Sequence, residues 1–219
     1  MDRAEYFEAV KSLIRKDQHQ IDTGTTDVQY LDGHAPRFHA QLDMFAEFLD
    51  KESIKTVYDI GTFAPFVSYY FTLTQQALVT LGCMDVKRDE WIAGGVKRIR
   101  LNLNHPFPVM PKADLLICTE CLEHVATNLY RVRQALCESV ANGKYLLLSF
   151  PLNGKNAQGY DQELPQSENV EPHLREFTEQ TAREFYIGTG FTLVSEKITY
   201  TERYAGSIMN VLLKKEVFA

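Results

Sequence analysis

Val57-Tyr58-Asp59-Ile60-Gly61 and Asp114-Leu115-Leu116-Ile117-Cys118-Thr119-Glu120-Cys121-Leu122-Glu123-His124 decide how this chain is read. Each is a short apolar run that ends in chemistry. The first stops at an acid and a glycine; the second runs into Glu-x-x-Glu-His. Short apolar runs closed by turn residues read as strands. In an open α/β sheet, ligands bind beyond the carboxyl ends of the strands, so both endings would face one cleft.

The neighbouring sequence alternates in the same way. Thr56–Ile60, Leu78–Leu81, Arg98–Leu101, Leu115–Cys118 and Tyr145–Phe150 read as strands. Between them, helices are predicted at Pro65–Gln76, at Asp89–Ala93, and along the stripe Leu122, Val125, Leu129, Val132, Leu136 and Val140. The continuous apolar run at 145–150 suits a sheet covered on both faces. Such alternation argues for a parallel sheet with helices on both sides. Ahead of it, residues 2–16 and 34–50 carry apolar side chains at helical spacing, parted by the polar stretch Asp17 to Asp27. They predict a helical cap over 1–50 that leads into a main domain over 51–219. Residues 151–176, rich in Pro, Asn, Gln and Glu, predict a functional loop. Helix returns at Glu179–Ile187, and strands Phe191–Tyr200 and Ser207–Lys215 finish the chain.

A length of 219 residues with 45% hydrophobic content belongs to a soluble globular chain. Its net charge of -6 opposes phosphate backbones and anionic lipid, so neither nucleic acid nor membrane is the expected partner. Residues 1–16 lack the continuous apolar core of a signal peptide, and no apolar run is long enough to span a bilayer. Four cysteines then read as reduced thiols of a cytoplasmic protein.

In this order, the two endings resemble the first and fourth strands of the class I S-adenosylmethionine-dependent methyltransferases. The resemblance implies an α/β, Rossmann-like, doubly wound fold: a mostly parallel seven-stranded sheet with helices on both faces and an N-terminal helical extension. It also implies S-adenosylmethionine as cofactor. The family pattern acid-x-Gly-x-Gly-x-Gly is met by Asp59 and Gly61 only; Phe63 and Pro65 stand where further glycines are usual. Either a proline-shaped turn holds the cofactor differently, or affinity has been lost. On the same resemblance, Asp85 would grip the ribose hydroxyls and Asn102 the adenine amino group. Arg37, in the segment Tyr30 to Phe38, would meet the methionine carboxylate, with His34 as the alternative. Thr62 and Thr119, at the two strand ends, complete the expected cofactor set. The closest likeness is to bacterial small-molecule and sugar methyltransferases of the ubiquinone- or polysaccharide-biosynthesis type, which implies O-methylation of a sugar or other small hydroxyl metabolite.

Glu120, Glu123 and His124 stand at i, i+3 and i+4, so on a helix they share a face. Two chemistries suit them. His124 can be a general base that takes the acceptor's proton, with Glu120 or Glu123 orienting it. Alternatively, Glu120, Glu123 and His124 can bind a divalent metal, magnesium or manganese, that lowers the acceptor's pKa. The later Glu171-Pro172-His173-Leu174-Arg175-Glu176 returns His173 to the cleft, and the combined set resembles that of the small-RNA 2′-O-methyltransferases. Cys118 and Cys121 lack a second pair for zinc and read as packing residues. Tyr160 and Arg175 are candidate acceptor lining. A catalytically inactive, methyltransferase-like binding module is the alternative from a different class, favoured by the loop at Phe63-Pro65 and opposed by the Glu-x-x-Glu-His set.

Overall fold

Apolar side chains on both sides of successive strands force a sheet with two covered faces, and the computed structural model has one. It describes residues 2–17, 27–62, 64–83, 90–104, 112–152, 173–201 and 206–217. The strands are β1 (Thr56–Ile60), β2 (Leu78–Cys83), β3 (Glu90–Ile92), β4 (Val96–Arg100), β5 (Ala113–Thr119), β6 (Val140–Leu152), β7 (Phe191–Thr201) and β8 (Gly206–Lys215). They form one eight-stranded sheet in the order β3-β4-β2-β1-β5-β6-β8-β7. β4, β2, β1, β5 and β6 run parallel, while β3 and β8 are antiparallel to their neighbours. The sheet is thus mostly parallel, as expected, with eight strands rather than seven.

Alternation along the central strands splits the core in two. Leu115 and Ile117 of β5 and Leu147 of β6 enter the cluster that also holds Tyr6, Phe38 and Phe45. Leu116, Leu146 and Leu148 enter the other, with Val132, Leu136 and Phe185. The first face is covered by α1 (Arg3–Asp17), α2 (Asp27–Gly33), α3 (Ala35–Phe48) and α4 (Tyr69–Gln75); the second by α5 (Leu129–Ser139) and α6 (Glu179–Tyr186). Gln41 of α3 and Asn210 of β8, both fully buried, meet side chain to side chain at 2.8 Å, so the N-terminal helices are part of the core. No helix among the described residues is long and apolar enough to cross a membrane.

Three local expectations are corrected. Asp89–Ala93 is no helix: the described part is strand β3, hairpinned onto β4 through Gly94 and Gly95, both at positive φ. Glu90 pairs across the hairpin with Arg98, carboxylate to guanidinium at 2.8 Å. The helix at Pro65–Gln76 begins only at Tyr69, after a turn over 66–68. The long helix from Leu122 is broken: a single 3-10 turn spans Leu122–His124, and α5 starts afresh at Leu129, capped by the Asn128 side chain. The backbone between is bound elsewhere. Arg175 donates to the carbonyls of Val125 and Thr127, and the Asn104 side-chain Oδ1 accepts from the N–H groups of Ala126 and Thr127. Polar backbone groups satisfied this way are unavailable to a helix ladder.

Candidate active site

β1 and β5 lie side by side and parallel, with Ile60 opposite Cys118, so their endings open at the same edge. Gly61 turns the chain at φ +78, and a methyl group there would meet Cys121 Sγ at 2.3 Å. Two reasons therefore demand glycine: the left-handed backbone and the cysteine packed against it. Thr62 Oγ1 closes the next turn onto the Ala64 carbonyl at 2.8 Å. The loop is bulky as the sequence implied, and the cap holds its bulk. Tyr6 donates to the Phe66 carbonyl at 2.9 Å, and the Phe66 ring stacks on Phe38 at 5.2 Å and packs on Tyr30 at 5.4 Å. Phe63 and Asp85 lie outside the described residues.

Asp59 is buried at 2% exposure beneath α3 and the turn before α4. Burial pushes its carboxyl up to about 7, against the opposite pulls of the Ser68 hydroxyl and the Arg37 guanidinium. Arg37 is equally buried, and its Nη1 lies 3.5 Å from Glu120 Oε2. Its guanidinium also sits 4.4 Å over the Phe38 ring. Burial works against the Arg37 charge, but Tyr30 and Glu120 outweigh it and hold the pKa up. His34 is buried beside the Tyr30 ring, 4.2 Å between centroids.

Glu120 sits at φ +49, a left-handed conformation that costs a non-glycine residue about 1–2 kcal/mol and concentrates at functional sites. Ser149 of β6, in register with Thr119, holds it: its Oγ accepts from the Glu120 N–H at 3.0 Å and donates to Oε1 at 2.9 Å. Glu120 is therefore aimed at Arg37. The expected shared helical face of Glu120, Glu123 and His124 does not exist, because no helix starts there.

Glu123, His124 and His173 do come together, with one ligand atom of each within 4.8 Å of the others. The cause is backbone pairing: Leu174 and Arg175 N–H groups both donate to the Glu123 carbonyl, at 2.8 and 3.0 Å. His124 and His173 meet edge to face at 5.0 Å, and Glu123 Oε1 lies 3.7 Å from His124 Nε2. Burial, then the Glu120 charge, pushes the Glu123 carboxyl well above the usual range. Among the described residues, Glu120 does not join this group.

Asn102 and Thr119 stand half-buried at the same sheet edge. Asn102 Oδ1 accepts from the Asn104 N–H at 2.9 Å, which shapes the turn after β4. Arg175 is not acceptor lining. It is buried, and its guanidinium is spent on backbone carbonyls. Tyr160 is outside the described residues. Sequence reasoning missed Ser149, although a serine within Tyr145–Phe150 was a visible signal. Ser68 and Tyr6 carried none.

No model of a protein family matches the sequence, and no curated protein does. Solved structures do match the fold. The 1,6-didemethyltoxoflavin-N1-methyltransferase of Burkholderia thailandensis, bound to 1,6-didemethyltoxoflavin and S-adenosylhomocysteine, superposes with a TM-score of 0.60 at 16% identity, over 99% of this chain and 92% of that one. Magnesium protoporphyrin IX methyltransferase of Synechocystis PCC 6803, with bound S-adenosylhomocysteine, gives 0.56 at 15% identity, over 98% of each chain. The [4+2]-cyclase SpnF gives 0.59 at 8% identity, over 82% of this chain and 81% of that one. The chain has the fold of the class I S-adenosylmethionine-dependent methyltransferases.

Proposed function

We propose that this chain is an S-adenosylmethionine-dependent methyltransferase acting on a hydroxyl of a small polar metabolite, a sugar being the favoured class. The observation that carries the reading is the meeting of buried Arg37 and Asp59 with partly buried Glu120 at the ends of β1 and β5, under the cap. Arg37 Nε and Glu123 Oε2 are buried there with no hydrogen-bond partner among the described residues. Buried polar atoms left so are costly, which fits a site completed by a polar ligand. The donor set also matches the cofactor's chemistry: guanidinium for a carboxylate, carboxylates for an amino group and a sulfonium. Bound there, S-adenosylmethionine supplies an electrophilic methyl group.

The chain's own work is alignment and proton removal. Arg37 binds the carboxylate end, Asp59 takes an amino N–H, and Gly61 lets backbone approach. Asp85, Asn102, Thr62 and Thr119 serve the nucleoside and the strand-end turns. His124, half-exposed beside Glu123, accepts the proton from the acceptor hydroxyl, and Glu123 orients the ring. The amide-rich composition of 153–172, which lies outside the described residues, suits a polar acceptor. A fold shared with a cyclase does not fix the reaction, so the assignment rests on these side chains. Calorimetric titration with S-adenosylmethionine tests it. Micromolar binding supports the reading; no binding would leave an inactive binding module.

The Glu123, His124 and His173 grouping favours one variant of this reading. Two imidazoles and a carboxylate suit magnesium poorly and manganese better, and such a metal would lower the acceptor's pKa. Titration with manganese, with and without His173→Ala, tests it. Loss of binding in that variant supports the metal, and unchanged binding removes it. The net charge of -6 keeps an RNA acceptor the least favoured.

A further inference from the structure

Residues 123–127 carry the acceptor end of the site, and two side chains from elsewhere set their path. Arg175, 2% exposed, donates from Nε to the Val125 carbonyl at 2.9 Å, and from Nη2 to those of Thr127 at 2.9 Å and Ala126 at 3.4 Å. From the other side, Asn104 Oδ1 accepts from the Ala126 and Thr127 N–H groups at 2.6 and 3.2 Å. Three consecutive carbonyls turned to one guanidinium cannot also point along a helix axis. The backbone N–H groups of Leu174 and Arg175 meanwhile donate to the Glu123 carbonyl, at 2.8 and 3.0 Å. Arg175 therefore grips this segment by its main chain at Glu123 and by its side chain at 125–127.

Resting on the methyltransferase reading above, we propose that Arg175 is a positioning residue for the proton-accepting end of the site. Its guanidinium is spent on the chain itself, and it acts through His124: by fixing the backbone that follows, it holds that imidazole against His173. His173 stands two residues before Arg175, and the two rings meet edge to face at 5.0 Å. The grip starts from an anchored base. Phe177 is buried with its ring 5.0 Å from Phe150, and Thr178 caps α6.

The Asn128 side chain, which caps α5 at the Tyr130 N–H, decides where that helix begins but leaves the path of 123–127 open. Leu122, Val125, Leu129 and Val132 keep helical spacing across the break, and all four are buried. Were the helix to run back to Leu122, His124 would stand about 200° round its axis from Leu122, turned away from the sheet. Glu123, now 1% exposed, would leave the interior with it. The break is what brings an acid and an imidazole to the cleft, and Arg175 holds the break.

The test is histidine NMR on the full chain with isotope-labelled imidazoles. Among the 6 histidines, the signals of His124 and His173 are assigned by His124→Gln and His173→Gln. In the natural chain their ring protons should share a nuclear Overhauser contact, which an edge-to-face pair at 5.0 Å allows. Its absence there overturns the inference at once. Arg175→Ala should lose the contact while S-adenosylhomocysteine affinity, read by calorimetry, stays unchanged. A folded Arg175→Ala that keeps the contact, however far its Tm falls, overturns the inference and leaves Arg175 a stabilising residue only. Loss of contact and affinity together also overturns it, because Arg175 would then hold the whole cleft. If Arg175→Ala fails to fold, Asn104 decides. Asn104→Ala should lose the contact, and Asn104→Asp, which keeps the acceptor oxygen, should retain it; any other pattern overturns the inference. If the natural chain binds no S-adenosylhomocysteine, the methyltransferase reading falls, while the histidine contact still decides whether Arg175 places His124.

Discussion

Replacing Asp59 by asparagine should make the protein more stable at neutral pH, although it removes a residue assigned to cofactor binding. In the fold, burial moves this carboxyl from 3.8 to about 7. An acid whose pKa is raised by folding contributes its full stability below the unfolded value and loses it as pH rises through the folded one. Between pH 4 and pH 7, the natural chain should therefore lose stability on this residue's account. Three units at 1.36 kcal/mol each amount to about 4 kcal/mol, a large part of the 5–15 kcal/mol typical of a domain. The amide never ionises, so the variant escapes that loss. Whatever constant offset the substitution adds, the difference between variant and natural chain should grow by about 4 kcal/mol from pH 4 to pH 8. For a chain of this size that is roughly a 10 °C gain in Tm at pH 8 relative to pH 4. Urea unfolding at a series of pH values measures it. A stability difference that does not change with pH would refute the burial-raised carboxyl at Asp59.

Gly61→Ala should cost about 1–3 kcal/mol, from the left-handed backbone and the clash with Cys121. Cys121→Gly should recover part of that loss in the double variant, read by thermal melting. Ser149→Ala frees both the Glu120 N–H and its carboxylate, and should cost about 1–3 kcal/mol. It should also weaken cofactor affinity in calorimetry; full affinity would refute Glu120 as an aimed residue. Arg175→Ala strips buried carbonyls of their donors and should cost about 3 kcal/mol or more by denaturant melt. His124→Gln should leave cofactor affinity within about twofold and lower turnover about a hundredfold or more. An active variant would remove His124 as the base.

The sheet was legible because β1, β5 and β6 are buried on both faces, which leaves continuous apolar runs that no helix of such length explains. What escaped depends on partners distant in sequence. The stripe from Leu122 to Val140 has helical period, yet Asn104 and Arg175 hold the backbone of 125–127 and break it. Gly94-Gly95 was a readable hairpin signal that the pattern around Asp89 obscured. In the site, the grouping of His173 with Glu123 and His124 was expected from its place after the fifth predicted strand and from the resemblance of the set to that of the small-RNA 2′-O-methyltransferases. The departure of Glu120 was not, because its direction is set by a left-handed backbone and by Ser149, 29 residues later. Arg37 was read as facing the cleft and lies beside Glu120; Asp85 falls outside the described residues.

The buried amide contact between Gln41 and Asn210 spans 169 positions of the chain. A ribosome delivers α3 long before it delivers β8. Until then, the inward face of α3, with a polar amide among Phe38, Leu42 and Phe45, has no finished surface to lie against. At ordinary rates of synthesis that wait lasts about 10 s or more. Closure of such a separation belongs to the late, slow part of folding. The cap that moulds the loop after β1 can be completed only when the last strand is home, so the newborn chain acquires its ligand site at the end of folding.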